Sequence, residues 1–273
     1  MLLYDLRLPY IVKDMMKYDK FDLTGKVALC AGGSSGLGYQ FARAMASAGA
    51  DVAIVARRED RLQENAKAIE AEYGVRCYPH YMDLTKPETI TKCVEDVVAH
   101  YGRIDILVNS AGIPCRNVAE TQSYEDWMLV MDSDLNGPFW LMHECVRLSM
   151  KERQYGKIIN IASIHAFVSR LGYNTNAYCA AKGGLLMLTK SLAQEWAKYN
   201  ITVNGIAPGY FPSELTGAYI DAPAFKKVCE DYSPMGRPGI TGEMDGLCIY
   251  LASDASSFTT GQMIAVDGGW LTI

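Results

Sequence analysis

The chain has no pair of cysteines at CxxC spacing. Its eight cysteines, Cys30, Cys77, Cys93, Cys115, Cys145, Cys179, Cys229 and Cys248, are scattered, several inside apolar runs. That scatter argues against a disulfide framework and suits a reducing compartment, where cysteine behaves as a small hydrophobe. The four histidines (His80, His100, His143, His165) do not bracket the cysteines at metal-ligand spacing, so no metal site is expected. No stretch approaches about eighteen uninterrupted apolar residues, and no membrane span is expected. The N-terminal MLLYDLRLPYIVKDMMKYDK threads charges through its apolar residues and lacks a signal-peptide core. Positive charge is not in excess: 26 Lys and Arg against 31 Asp and Glu give a net charge of −5. Such a chain has no general attraction for nucleic acid or anionic lipid, so neither is an expected partner. The cytoplasm is the expected location.

What is present is a globular composition, with 49% hydrophobic and 21% charged residues over 273 positions. That length allows a large core and argues against disorder. Short runs rich in Val and Ile alternate with segments of helical period. KVALCA, DVAIVA, VRCYPHYMD, RIDILVNSAG, KIINIAS, ITVNGIAPG and QMIAVDGG read as strands, with long amphipathic stretches between them. About seven alternations predict an α/β fold, a parallel sheet covered by helices on both faces. No tandem repeat and no Pro/Ser linker divides the chain. One domain is expected over 26–273, preceded by an arm at 1–25. The prolines at 208, 212, 223, 234 and 238 mark an irregular lid at about 209–240.

Three local patterns carry chemistry. AGGSSGLG, Ala31 to Gly38, follows the first strand and opens a helix. Glycines at 32, 36 and 38 permit a tight turn and a close approach of backbone to a pyrophosphate, and the helix N-terminus favours negative charge. A plain tight turn would use the same glycines. Tyr178 and Lys182, in YCAAK, stand four apart on one helical face. A phenol of pKa about 10 is a poor base at neutral pH, and a nearby ammonium favours phenolate. The pair therefore suits proton exchange with an alcohol or carbonyl oxygen. An ordinary helix bearing one of each residue is the alternative. The second strand ends in AIVARRED, placing Arg57 where an NAD site normally carries Asp or Glu, with Arg58 beside it. A guanidinium suits a 2′-phosphate and offers no acceptor to a ribose hydroxyl, so NADP is expected before NAD. The alternative is a solvated pair answered by Glu59 and Asp60.

In this order and spacing the elements resemble the short-chain dehydrogenase/reductase family over about 26–270. The glycine pattern is Gly-x-x-x-Gly-x-Gly. NSAG (Asn109 to Gly112), Ser163 after KIINIA, the Tyr-x-x-x-Lys pair, Asn136 in DLNGPF and the Pro208–Gly209 step complete the match. Ala31 and Ser110 depart from the usual Thr and Asn. The resemblance implies a Rossmann-type doubly wound sheet and an NAD(P)(H)-dependent interconversion of secondary alcohol and ketone. It makes Tyr178 the acid/base, with Lys182 lowering its pKa and holding the nicotinamide ribose. Ser163 would bind the substrate oxygen, and Asn136 would hold a water linked to Lys182. Cofactor contacts would come from Gly32, Ser34, Ser35, Gly36, Leu37 and Gly38, and from Asp83 and Leu84 at the adenine. Asn109, Ala111, Gly112, Pro208, Gly209 and Ser213 would complete them. Asp83 could equally cap a helix and Ser213 could be a turn residue. Members usually form dimers or tetramers, and the apolar terminus QMIAVDGGWLTI fits a homo-oligomer.

Substrate is expected against 113–122, 164–176 and 210–235. The candidates are His165, Tyr173, Tyr210, Phe211, Leu215 and Tyr219, although the lid's aromatics could instead pack within the domain. YFPSELT is similar to members acting on gluconate-type sugar acids. The arm ending YDKFDLTGK and the apolar lid are more similar to bacterial hydroxysteroid dehydrogenases, the reading ranked first. A 3-oxoacyl thioester reductase ranks third. A nucleotide-sensing protein that has lost catalysis is the reading from another class; retention of both Tyr178 and Lys182 weighs against it.

Overall fold

Val27–Ala31 (β1) is buried at all five positions, because each of its faces meets a helical layer. Alternate residues go to opposite sides. Ala28 and Cys30 join one core cluster, while Leu29 and Ala31 join the other. The computed structural model describes residues 19–113, 117–170, 172, 174–214, 216–217 and 219–272. The six further strands are Asp51–Ala56 (β2), Cys77–Tyr81 (β3), Ile106–Asn109 (β4), Gly156–Ile161 (β5), Ile201–Pro208 (β6) and Met263–Val266 (β7). They pair in the order β3-β2-β1-β4-β5-β6-β7, every neighbouring pair parallel. This is the seven-strand, doubly wound sheet that the alternation predicts.

One layer contains Gly36–Ser47 (α1), Glu59–Tyr73 (α2) and, from the far end of the chain, Asp245–Ala252 (helix α7). Phe41, Met45, Leu62, Ile69, Cys248 and Leu251 are its buried contributions. The other layer contains Pro87–Tyr101 (α3), a long helix over 124–153 (α4) and Asn176–Trp196 (α5). Their core side chains include Ile90, Val94, Leu141, Leu185 and Leu192. The helix α4 is interrupted by two widened turns, Asp132–Asn136 and Val146–Met150. A single ten-residue helix, Pro223–Tyr232 (α6), stands within the irregular region after β6.

Residues 1–18 lie outside the described residues. The rest of the arm is tied down: Leu23 is fully buried, and its N–H donates to the Ala48 carbonyl at 2.8 Å. The seven described cysteines are all free, and burial pushes the Cys30, Cys145 and Cys248 thiols upward. Among the described residues no His/Cys/Asp/Glu cluster could hold a metal, and no helix is long and apolar enough to cross a membrane.

The edge of the sheet opposite the strand C-termini is fixed by Asp105. Its buried carboxylate accepts from the Val27 N–H at 2.9 Å and pairs with Arg103 and Arg153. Asp105→Ala strands that amide and two guanidinium groups, and should cost about 3 kcal/mol. Differential scanning calorimetry should show Tm lowered by roughly 10 °C. Michaelis constants should stay unchanged, because Asp105 lies at the far edge from the strand C-termini.

Candidate active site

The strand order runs outward in opposite directions from β1 and β4, which opens a crevice at their C-terminal ends. The chain leaves β1 through Gly32, at φ +82°, and enters α1 through Gly36, at φ +54°. Both angles lie where only glycine is comfortable. Gly38 is required for a different reason. A Cβ there would stand 2.4 Å from the Gly32 carbonyl oxygen, so the first turn of α1 rests directly on the loop. Backbone N–H groups at this helix start make an anion seat.

A cavity of about 490 Å³ runs along this crevice. The glycine loop from Gly32 to Gly38 forms one wall, with Ser34, Ser35 and Leu37 on its lining. Arg57 and Arg58 enclose it from the end of β2, Asp83 and Leu84 from the segment after β3. Ala111 and Gly112 follow from the loop after β4, and Ser213 faces them from the segment after β6. Asp83 serves as a turn residue as well, since Oδ1 accepts from the Thr85 N–H and hydroxyl at 3.0 and 2.8 Å. Ser213 is fixed by Thr216, whose hydroxyl accepts from the Ser213 N–H at 2.9 Å.

Of the two arginines, Arg58 rather than Arg57 is the one tied to the glycine loop. Arg58 stands at the N-cap of α2 and folds back over the loop, donating to Ser34 Oγ at 3.0 Å and to Ser35 Oγ. Its guanidinium also grips Glu214 through two bonds of 2.9 Å, and Arg61 reaches the same carboxylate at 2.7 Å. The Arg58 hydrogen bond holds the Glu214 carboxyl far down, at about 2. Arg57 lines the cavity, exposed, and makes no hydrogen bond or ion pair among the described residues.

Beyond the Gly112 end lies a polar cluster. Ser163, just past β5, accepts from the His165 N–H at 3.1 Å and hydrogen-bonds Tyr178. Lys182 is buried, donates to the Ile161 carbonyl at 3.2 Å and lies with its charge 5.5 Å from the Tyr178 ring centre. Burial pushes the Tyr178 phenol above its ordinary value, Lys182 and Ser163 pull it down, and a further carboxylate, Asp134, pushes it up. The net displacement is upward, opposite to what the Tyr–Lys pair alone predicts.

Asn136 does not join this cluster. It is exposed and donates to Asp132 Oδ1 at 2.8 Å, because the widened turn of α4 directs the residue two positions earlier inward. That residue is Asp134, fully buried, with Oδ2 3.3 Å from Lys182 Nζ. Its signal was legible: Val130, Asp134 and Leu141 recur at helical spacing on one buried face, and a carboxylate on an apolar stripe requires a cation. Asn109 is likewise absent from the cavity wall. It lies beneath, donating to the Pro138 carbonyl at 3.1 Å and to Asn160 Oδ1 at 3.3 Å. Pro208 and Gly209 do not line the cavity either; a Cβ on Gly209 would stand 2.8 Å from Asp267 Cα, so that glycine lets β6 and β7 close.

Of the substrate candidates, Tyr173 and Leu215 lie outside the described residues. His165 is beside Tyr178, the rings 6.2 Å apart, and Tyr210 follows at 6.4 Å. Burial holds His165 below its ordinary value, so the ring is neutral; with Nδ1–H donated to the Val168 carbonyl, Nε2 is an acceptor. Phe211 belongs to the core and packs over Gly239, away from Tyr178. Tyr219 meets Phe225 edge to face, and Phe225 in turn meets Tyr210 the same way.

The arrangement is a dinucleotide crevice ending at a Ser, Tyr and Lys cluster, and sequence comparison agrees. Residues 31–271 match the family model described as enoyl-(acyl carrier protein) reductase. The chain belongs to the short-chain dehydrogenase/reductase family of NAD(P)-dependent oxidoreductases. It is 38% identical to a 2-dehydro-3-deoxy-D-gluconate 5-dehydrogenase of Formosa agariphila, over 94% of this chain and 96% of that one. Identity to a gluconate 5-dehydrogenase of Gluconobacter oxydans is 36%, over 92% and 96%. Among solved structures, a gluconate 5-dehydrogenase from Burkholderia cenocepacia, in complex with NADP and tartrate, superposes with a TM-score of 0.89. It is 37% identical, with 93% of this chain and 98% of that chain covered.

The cavity's lining fits a nicotinamide dinucleotide: hydroxyls and guanidinium groups stand at one end and bare glycine backbone in the middle, with the lysine cluster beyond the Gly112 end rather than in its wall. Gly38→Ala forces α1 off the loop. Its melting temperature should fall, and the further rise that NADPH gives the unmodified protein should disappear in a thermal-shift assay.

Proposed function

We propose that the protein is an NADP-preferring reductase/dehydrogenase that interconverts a secondary alcohol and a ketone on a sugar acid or polyol, of the gluconate 5-dehydrogenase kind. The observation that carries this is the setting of Tyr178. His165 offers Nε2 beside it as an acceptor for a hydroxyl. The Arg170 charge reaches His165, and that guanidinium lies 5.9 Å from the Tyr232 ring. A cation and a neutral acceptor suit a hydroxylated, carboxylate-bearing substrate. The names of the similar proteins support the same choice. This reading replaces the hydroxysteroid one, because the aromatic residues that suggested an apolar lid are turned on one another or into the core.

In this mechanism a bound nicotinamide supplies or accepts hydride at the carbinol carbon. Tyr178 gives its proton to the ketone oxygen, or takes one from the alcohol. Ser163 holds that oxygen with its hydroxyl, and Lys182 fixes the electrostatic balance at the phenol. Arg58 and Arg57, together with the hydroxyls of Ser34 and Ser35, suit a 2′-phosphate. Exposed Trp140 and Met187, on α4 and α5, support a homo-oligomer, which sedimentation at micromolar concentration would test.

A panel of sugar acids, polyols, steroids and acyl thioesters, assayed with NADPH and NADH, tests the substrate. Preferential turnover of a steroid or a thioester would overturn the assignment. Tyr178→Phe should abolish turnover while NADPH binding survives. Arg58→Ala should raise the KM for NADPH about tenfold or more, as expected for losing a hydrogen bond to a charged group worth roughly 1.5–3 kcal/mol. The KM for NADH should hardly move, and the preference should shrink as salt rises.

A further inference from the structure

Asp134 is the one acidic side chain in direct contact with the Lys182 ammonium among the described residues. Three observations fix its place. Oδ1 accepts from the Ile113 N–H at 2.8 Å, anchoring the loop that follows β4. Oδ2 is fully buried with no aligned hydrogen-bond donor and lies 3.3 Å from Lys182 Nζ. A Cβ on Gly112 would stand 2.8 Å from that same oxygen, so the carboxylate fills the space that the glycine leaves. The residue sits in a widened helical turn, a device that re-aims side chains and is frequent at functional sites.

A buried carboxylate and a buried ammonium at this distance hold one another, since either alone would lie in a poorly solvating interior. Seen from Tyr178, the carboxylate opposes part of the pull of the lysine charge. The groups facing the phenol are then Lys182 from its own helix, Asp134 from α4, and Ser163 and neutral His165 from the loop after β5. Cys179 adjoins Tyr178 in sequence, and Arg170 is felt at His165. Lys182 itself faces Asp134, Tyr178 and the Ile161 carbonyl.

We propose that Asp134 is a positioning residue that acts through Lys182: as its buried counter-ion it offsets part of the lysine charge at Tyr178 and weights the site toward proton donation to a ketone, that is, toward reduction. The proposal rests on the reading of Tyr178 as the acid/base. In the favoured direction the carbonyl carbon gains a hydride from the reduced nicotinamide dinucleotide, and the carbonyl oxygen gains the Tyr178 proton. The phenolate left behind is reprotonated from solvent. Two electrostatic effects run the same way: Asp134 pushes Tyr178 up against the pull of Lys182, and pushes Lys182 up against burial.

The sign of the test follows. With the carboxylate gone, the lysine charge acts on the phenol unopposed and phenolate forms at lower pH. Asp134→Asn keeps the shape and the acceptor for Ile113, so it isolates the charge. Oxidation needs the phenolate, so its rising pH limb should move down; reduction needs the phenol, so its falling limb should move down as well. A displacement of about one pH unit is expected, equivalent to roughly a tenfold gain in the oxidation-to-reduction ratio of kcat at neutral pH. A titration of tyrosinate absorbance, taken as the difference between each protein and its Tyr178→Phe counterpart, should show the same downward displacement without turnover. If Asp134→Asn melts too low to assay, Asp134→Ser removes the charge and carries the same expectation. Unmoved limbs and an unmoved tyrosinate titration in a folded variant would overturn the proposal. Full activity of Tyr178→Phe would instead overturn the acid/base reading on which it rests.

Discussion

Seven strands running in one direction leave all their carboxyl ends on a single edge, and the chain must supply every turn there. That constraint gathers the glycine loop, the arginines after β2, Asp83, NSAG and Ser163 from segments far apart in sequence. The reversal of strand order between β1 and β4 then parts the loops at one place and leaves a crevice. Everything chemical in the protein depends on this geometry. Burial on both faces also decides what the strands are made of, since neither side can carry a polar residue without a partner. Asn109 and Asn160 meet the rule by bonding one another, with Thr189 taking the next link at 3.0 Å.

The strands were legible because fully buried parallel strands are continuous apolar runs, and DVAIVA coincides with β2 residue for residue. The glycine turn, Ser163 and the Tyr178–Lys182 pair were legible because backbone approach and helical spacing are local properties. Asn136 was misplaced. That expectation came from the resemblance alone, and within the widened turn Asp134 points inward while Asn136 faces out and bonds Asp132. The division of labour between Arg57 and Arg58 was hidden as well, since it depends on which side chain folds back from the N-cap of α2. The lid's aromatic content was readable, but not its direction. Phe211 goes to the core and Tyr219 to Phe225, because a segment without regular backbone structure must bury its own side chains to hold a shape.

Charge at the site is nearly balanced although the groups are buried. Lys182 has Asp134, His165 is neutral, and Ser163 bonds without ionising. A balanced interior lets a proton move over a short distance without a large rearrangement of dipoles. The cost falls on construction. Ile113 must be held, Gly112 must lack a side chain, and α4 must widen, all so that one carboxylate can reach one ammonium.

The grip of Arg58 and Arg61 on Glu214 has a consequence of its own. Two guanidinium groups converging on one point would repel each other and turn outward; the carboxylate between them holds both, with Arg58 kept on the crevice wall. All three side chains are about half exposed, so water and salt weaken this bond. The segment after β6 is thereby fastened to the end of β2 by a half-exposed ion pair rather than by buried packing.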